Sequence, residues 1–351
     1  MESSQSDFPR VARYRLTFRA PGGARFGAYA GSAWRGALGH ALKRVVCVTR
    51  QPTCEPCLLY RSCAYPYIFE TPPPPGAAKM RLYKAAPHPF VIEPWDYGPR
   101  SLEAGATTTI RLVLVGRAIT QLPYLVLALG RAGEQGLGPG RSRLDLRTVE
   151  QEATLGGEDW REIYGEDELL DPLPAMPSTC PAPPGNGELE VRLCTPLRLR
   201  REGANLTPAD FGFRPWFSAL LRRVSMLSYF HGERAMETDF RGLVAAADQV
   251  LLAEPRLRWR DWTRYSSRQR TTLQMGGLVG SFRLAAGQCE MFWPYLWFGQ
   301  WVHAGRGASM GLGRYELCPA RLPGAPRTPG DDTLDGEDGA VRPHRPGMAA
   351  G

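Results

Sequence analysis

Gly305-Arg306-Gly307-Ala308-Ser309-Met310-Gly311-Leu312-Gly313-Arg314-Tyr315 places four glycines in nine residues beside two arginines. Glycine supplies positive φ and lets backbone N–H groups approach phosphate oxygens, and the arginines add charge. An aromatic helix is predicted just before it, over residues 291–303, and a short strand after it. Upstream, Glu188 to Leu199 reads as a strand, residues 208–230 as an amphipathic helix, and Arg256 to Ala285 as a strand pair. In that pair Arg264, Ser266, Arg268 and Arg270 share one face at period two. The first half shows the same plan. Thr107 to Ile119 is β-branched and strand-like, Pro123 to Arg131 is an apolar helix, and Gly133, Gly136, Gly138 and Gly140 lead to Arg141 and Arg143 before an alternating strand. Each half thus reads strand, helix, glycine loop with arginine, strand, an internal duplication of an α/β sandwich unit.

The acidic, proline-rich stretch 156–187 is the expected linker between a first domain, 1–155, and a second, 188–318. A Pro/Gly-rich tail, 319–351, carries His344 and is expected to be disordered. The chain has 351 residues, 43% hydrophobic and 10% aromatic, which suits two domains with real cores. No apolar run approaches the roughly 18 residues of a membrane span and no signal peptide is evident, so the expected location is cytoplasmic with no membrane partner. The formal charge of +8 points toward a polyanion. Arg13, Arg15 and Arg19 lie on one face of an early strand whose other face is Ala12, Tyr14, Leu16 and Phe18; taken alone this is a solvated edge strand.

From Gly31 to Cys63 a basic helix runs into four cysteines. Ser32 is a suitable N-cap, and Trp34, Ala37, Leu38, Ala41, Leu42, Val45 and Val46 form one apolar face. Gly36, His40, Lys43 and Arg44 fall on the opposite arc. Cys47, Cys54, Cys57 and Cys63 then follow in a C-x6-C-x2-C-x5-C spacing. In a reducing compartment such a cluster reads as a metal site, and Cys180, Cys194, Cys289 and Cys318 as ordinary thiols. The wording of this loop resembles the 4Fe-4S loop of endonuclease III glycosylases, which implies a cluster on these four ligands; tetrahedral zinc uses the same four thiolates. Either centre would be structural, since four protein ligands leave no open position.

The terminal glycine loop, the helix Trp34-Arg35-Gly36-Ala37-Leu38-Gly39-His40, the loop Gly136 to Arg143, and Arg268-Gln269-Arg270 before Gly276-Gly277 together resemble the repeat-associated RAMP superfamily, specifically the CRISPR precursor-RNA processing endoribonucleases. The resemblance spans residues 10 to 318. It implies an α+β fold of two tandem ferredoxin-like, RRM-related domains, each ending in a glycine-rich loop, with the four-cysteine knot 47–63 inserted after the first helix. It also implies cleavage of CRISPR repeat RNA without a catalytic metal, in which the ribose 2′-OH attacks the neighbouring phosphate to leave a 2′,3′-cyclic phosphate and a 5′-OH.

That chemistry needs a base, an acid and cations. Members of the family often place a catalytic histidine on the first helix, where His40 stands, with Lys43 one turn on. His231, at a helix end, either acts or caps. His303 either acts or orients the glycine loop, and Tyr29 either completes the catalytic group or packs. The RNA-binding set comprises Arg13, Arg15, Arg35, Arg44, Arg141, Arg143, Arg264, Arg268, Arg270, Arg306 and Arg314 with Gly305, Gly307, Gly311 and Gly313. An alternative from the same superfamily is a non-catalytic subunit that holds the repeat-derived end of the crRNA among other CRISPR effector subunits. The cysteine loop alone suggests a DNA-repair protein, a reading that leaves both glycine loops unexplained.

Overall fold

The computed structural model describes residues 8–27, 29–77, 86–94, 100–165, 167, 169–185, 187–266 and 271–319. The first half contains β1 (Val11–Arg19), β2 (Ala24–Phe26), α1 (Ala30–Val46), β3 (Phe90–Glu93), β4 (Arg100–Leu102), β5 (Thr107–Val115), α2 (Leu122–Glu134), β6 (Asp145–Glu152) and β7 (Trp160–Tyr164). The second contains β8 (Glu188–Leu197), β9 (Arg200–Arg201), β10 (Ala204–Asn205), α3 (Phe213–His231), α4 (Phe240–Ala246), β11 (Ala253–Arg260), β12 (Thr263–Ser266), β13 (Thr271–Gln274), β14 (Gly277–Ala285), α5 (Trp293–Val302) and β15 (Tyr315–Pro319). All lie in one compact unit, Met1–Ala320.

The duplication is visible in the topology. The first sheet has the antiparallel order β3-β5-β1-β6-β7, and the second β11-β14-β8-β15. In each, a strand, a helix, two strands, a helix and a final strand follow along the chain, and the four main strands stand in the order second, third, first, fourth. Strand pairs β2–β4, β9–β10 and β12–β13 are separate ribbons.

Alternation along β1 builds the first core. Tyr14, Leu16 and Phe18 point to the same side as Trp34 and Leu38 of α1 and Leu125 and Leu129 of α2, and all are fully buried. Burying each such side chain contributes about 1.5–3 kcal/mol. The second core sets Trp216, Phe217 and Leu220 of α3 and Leu296 and Phe298 of α5 against Val191, Phe282 and Leu284. That cluster also takes in Val11, Val91, Val113 and Val115 from the opposite face of the first sheet. The first sheet is therefore covered on both faces.

This double covering corrects the expectation of a solvated edge strand. β1 is central in its sheet, and Arg13 is 3% exposed. Its Nη1 donates to both carboxylate oxygens of Glu152 at 2.8 Å, and its guanidinium lies 4.4 Å from the ring centre of Trp301 on α5. Arg15 stands opposite Glu150 in the ladder and donates its Nε–H to that carboxylate at 2.7 Å. Neither guanidinium is a free RNA ligand in this arrangement. Alternation shows that two faces differ, but not that a second domain covers the polar one.

Other boundaries move for local reasons. α1 starts at Ala30 with Tyr29 at its N-cap, and Ser32 falls within the first turn. α3 starts at Phe213 because a capping box between Thr207 and Asp210 closes a separate short turn at Pro208–Asp210. β7 pairs with β6, so the first sheet reaches Tyr164, inside the stretch expected to be linker. The tail beyond Pro319, with His344, lies outside the described residues.

Removing one member of a buried ion pair strands the other charge. Arg13→Ala should therefore destabilise the protein by roughly 3–5 kcal/mol, whereas Arg15→Ala, from a partly exposed pair, should cost about 1 kcal/mol or less. Equilibrium denaturation of the two variants checks this ordering, and equal costs would refute it.

Candidate nucleic-acid interface

The glycine loop forms a joint between the halves. Gly305, Gly307, Gly311 and Gly313 all have positive φ, from 72° to 89°. A Cβ on Gly313 would sit 1.9 Å from the Ala304 carbonyl oxygen, and one on Gly311 would sit 2.5 Å from that of Ile92 on β3. Across the joint, a Cβ on Gly31 of α1 would lie 2.1 Å from the Met310 carbonyl oxygen. Tyr29 Oη–H donates to that same carbonyl at 2.7 Å, Arg35 Nε–H to Ser309 Oγ at 2.9 Å, and Thr195 Oγ1–H to the Gly311 carbonyl at 2.8 Å.

The loop thus differs from an open phosphate cradle. Ala308 through Gly313 are buried, and the amides of Arg306, Met310, Gly311 and Gly313 donate to Arg198, Gly307, Ala308 and Pro196 carbonyls. Arg306 is exposed at its rim. Arg314 is half-buried and paired with Glu316 at 2.6 Å. The earlier loop is built alike: Gly136 and Gly138 have positive φ, and a Cβ on Gly138 would meet the Arg25 carbonyl oxygen at 2.4 Å. There Arg141 is exposed, and Arg143 is paired with Asp145 at 2.8 Å.

Two elements project from the joint. One is the outer strip of α1, where Gly36, His40 and Arg44 are exposed at i, i+4, i+8 and a Cβ on Gly36 would find open space. Arg44 donates to Gln135 Oε1 at 3.0 Å, which brings the Gly136–Arg143 loop to the same edge of the helix. Lys43 turns away from this strip. It donates to the Pro52 carbonyl at 2.8 Å and lies 5.6 Å from the ring centre of Tyr65. The other element is the β12–β13 ribbon, whose base is closed by Met275 N–H to Trp262 C=O at 2.8 Å. Trp262 packs 5.1 Å from Tyr29, in a small cluster with Met275, Met310 and Leu312. Arg264 lies on this ribbon; Arg268 and Arg270 lie outside the described residues.

The other candidate histidines are interior. His231 is 3% exposed, with Nε2 2.8 Å from the Pro87 carbonyl and Nδ1 3.3 Å from Tyr67 Oη. Burial pushes its pKa down to about 4, against the opposing pull of the Pro87 carbonyl. His303 is fully buried at a strained φ of +62°. Its Nε2 is 2.9 Å from Glu93 Oε1 and its Nδ1 3.2 Å from the Leu312 carbonyl. Burial lowers its pKa, so the ring has one proton to give, and the shorter contact to a carboxylate takes it. Burial alone would raise Glu93, but the His303 hydrogen bond and the charges of Arg314 and Arg13 hold it down at about 2. His303 thus lies between Glu93 of β3 and the Leu312 carbonyl of the glycine loop. Tyr29 is buried, with its hydroxyl donating to the Met310 carbonyl.

His88, which stands between Pro87 and Pro89 in the sequence, is brought by the fold to the joint. Its Nε2 lies 3.0 Å from Arg35 Nη2 and its Nδ1 3.3 Å from Thr71 Oγ1. Arg35, expected to bind RNA, here links α1 to Ser309 and His88. No sequence spacing announces a contact between residues 53 apart in the chain.

Cys47, Cys54, Cys57 and Cys63 are all free thiols and line one cavity of about 20 Å³. Thr49 Oγ1 lies 3.4 Å from Cys57 Sγ and 3.9 Å from Cys47 Sγ. As donors they suit a thiophilic metal. Among the described residues no three His, Cys, Asp or Glu side chains already stand in a metal-holding arrangement. Also among the described residues, no helix is long and apolar enough to cross a membrane.

The fold is similar to that of solved CRISPR-associated Cas6 proteins. Residues 191–315 match the model of the CRISPR-associated endoribonuclease Cas6, a family of RNA-cleaving enzymes, and residues 8–175 match an N-terminal-domain model. Among solved structures, a partial Cas6-RT-Cas1–Cas2 complex aligns with TM-score 0.53 at 13% identity over 91% of this chain and 48% of that one. The Cas6-RT-Cas1–Cas2 complex aligns with TM-score 0.53 at 13% identity over 91% and 30%. The chain thus spans about half, and under a third, of these two relatives. The product complex of a Thermus thermophilus Cas6 aligns with TM-score 0.52 at 17% identity over 89% of this chain and all of that one. At these identities the likeness concerns the fold. No curated protein matches the chain.

The buried imidazole gives a pH signature. His231 binds a proton near pH 6.5 when unfolded but only near pH 4 when folded, so the unfolded state holds more protons between those values and stability falls as pH drops through that window. At about 1.4 kcal/mol per pKa unit, the loss should be on the order of 3 kcal/mol. His231→Asn should flatten this part of the stability curve, measured by denaturation at pH 7 and pH 4.5. An unchanged slope would show that the ring is solvated.

Proposed function

We propose that this protein cleaves CRISPR repeat RNA in precursor crRNA without a catalytic metal, by attack of a ribose 2′-OH that leaves a 2′,3′-cyclic phosphate and a 5′-OH. Its two halves are read as tandem ferredoxin-like domains, a reading supported by their shared strand order. The observation that carries the catalytic assignment is exposure: of His40, His231 and His303, His40 alone faces solvent. It stands between an uncovered backbone at Gly36 and the guanidinium of Arg44. Histidine exchanges a proton near neutrality, as removal of the 2′-OH proton or protonation of the 5′ leaving oxygen requires. Arg44 supplies charge for the phosphorane-like transition state. RNA lies along the α1 strip and the β12–β13 ribbon, with Arg141 and Arg306 at the flanks, and the protein works in the cytoplasm.

His40→Ala should lower single-turnover cleavage by roughly 100- to 10,000-fold with repeat-RNA affinity little changed, assayed in EDTA with the product ends analysed. Binding without cleavage by the parent protein would instead indicate a crRNA-holding subunit. Loss of cleavage in EDTA would overturn the metal-free mechanism.

If Arg306 contacts an RNA phosphate, Arg306→Ala should weaken binding across repeat sequences and reduce the slope of log affinity against log salt by about one. An unchanged slope would move the RNA off the rim of the glycine loop.

A further inference from the structure

We propose that Cys47, Cys54, Cys57 and Cys63 bind one structural zinc ion that braces the C-terminal end of α1. Three observations converge. The four sulfurs come from a 17-residue segment (47 to 63 inclusive) with no helix or strand, yet all line the same cavity. Successive reversals turn them inward: Cys57 N–H donates to the Cys54 carbonyl at 2.9 Å, Tyr60 N–H to Cys57 at 2.9 Å, and Cys63 N–H to Leu59 at 2.8 Å. No residue from Cys47 to Cys63 is buried, and Val48 and Leu58 are 76% and 87% exposed. A segment with no buried side chain has no apolar core of its own to hold it, and metal ligation supplies the missing free energy in such segments.

The cavity lined by the four cysteines, about 20 Å³, has room for roughly one water-sized body, the size of a single ion. Zinc takes four thiolates tetrahedrally and needs no electron transfer to bind. Each thiol releases its proton to solvent as its Zn–S bond forms, so four thiolates and Zn²⁺ leave a net charge of −2. Lys43, whose side chain lines the same cavity, places a cation beside that charge.

The centre would hold the helix at two points. Cys47 is the C-cap of α1, its N–H donating to the Lys43 carbonyl at 3.0 Å. Cys63 leads into the helical turn Pro66–Glu70, whose Phe69 lies where a Cβ on Gly39 would meet it at 2.7 Å. Ligation therefore clamps the helix end to the segment packed beside His40.

The full-length protein, purified with strict exclusion of added metal, should contain one zinc per chain by elemental analysis. A mercurial thiol reagent should release that zinc as the four thiols react, and cobalt exchange should give the visible absorption of a tetrahedral cobalt thiolate. Chelation should lower the melting temperature and zinc should restore it, with the cleaved phosphate unchanged. Should Cys54→Ser/Cys57→Ser fail to fold, the cobalt spectrum of the parent still decides. Iron with inorganic sulfide would overturn the choice of ion. Metal-free folded protein with four reactive thiols and no response to zinc would overturn the site.

Discussion

The structure turns on the contact between the start of α1 and the Met310 carbonyl. The Tyr29 hydrogen bond contributes only about 1 kcal/mol net, as most such bonds do. The backbone approach is more restrictive. A Cβ would lie 2.1 Å from the Met310 oxygen on one side, at Gly31, and 2.5 Å from the Ile92 oxygen on the other, at Gly311. Side chains at either position would force the halves apart. The joint fixes where α1 begins, hence which residues of α1 face outward, hence where His40 stands.

Charge distribution follows from the same packing. With the second half laid over the first sheet, Arg13 is drawn into a buried pair with Glu152, and Arg15 is held by Glu150. On the second sheet, Arg283 bridges Glu188 and Glu254. Much of the arginine is therefore structural, and the formal +8 is no guide to where a polyanion would sit. The fold leaves Arg44, Arg141 and Arg306 exposed at the surface beside the joint, and on the proposed function these are the cations open to an RNA.

The repeated architecture was legible because it rests on local signals: period-two strands, amphipathic helices, and glycine clusters before the last strand of each half. The apolar face of α1 and its exposed strip were legible for the same reason. What could not be read was long-range. Arg13 and Arg306 look alike as arginines near glycine or a strand, yet one is 3% exposed and the other open. His231 and His303 look as available as His40 because a sequence does not say which helix ends are covered. His88 meets Arg35 across a fold that no spacing encodes.

The glycine loop shows how a motif can be recognised correctly and its physical work misplaced. Positive φ at four glycines serves close approach between backbones, and most of the amides that could have faced a phosphate are already bonded within the protein. On the proposed function, phosphate recognition then falls to arginine side chains on the flanks and not to a cradle of amides. Contacts to phosphate position a nucleic acid without reading its bases. Sequence preference must come from elsewhere, and the β12–β13 ribbon is the candidate, because Trp262 at its base packs on Tyr29 and ties it to the helix that carries His40. Whatever RNA shape the ribbon accepts is thereby held in register with the reacting phosphate, and the buried loop is what keeps that register.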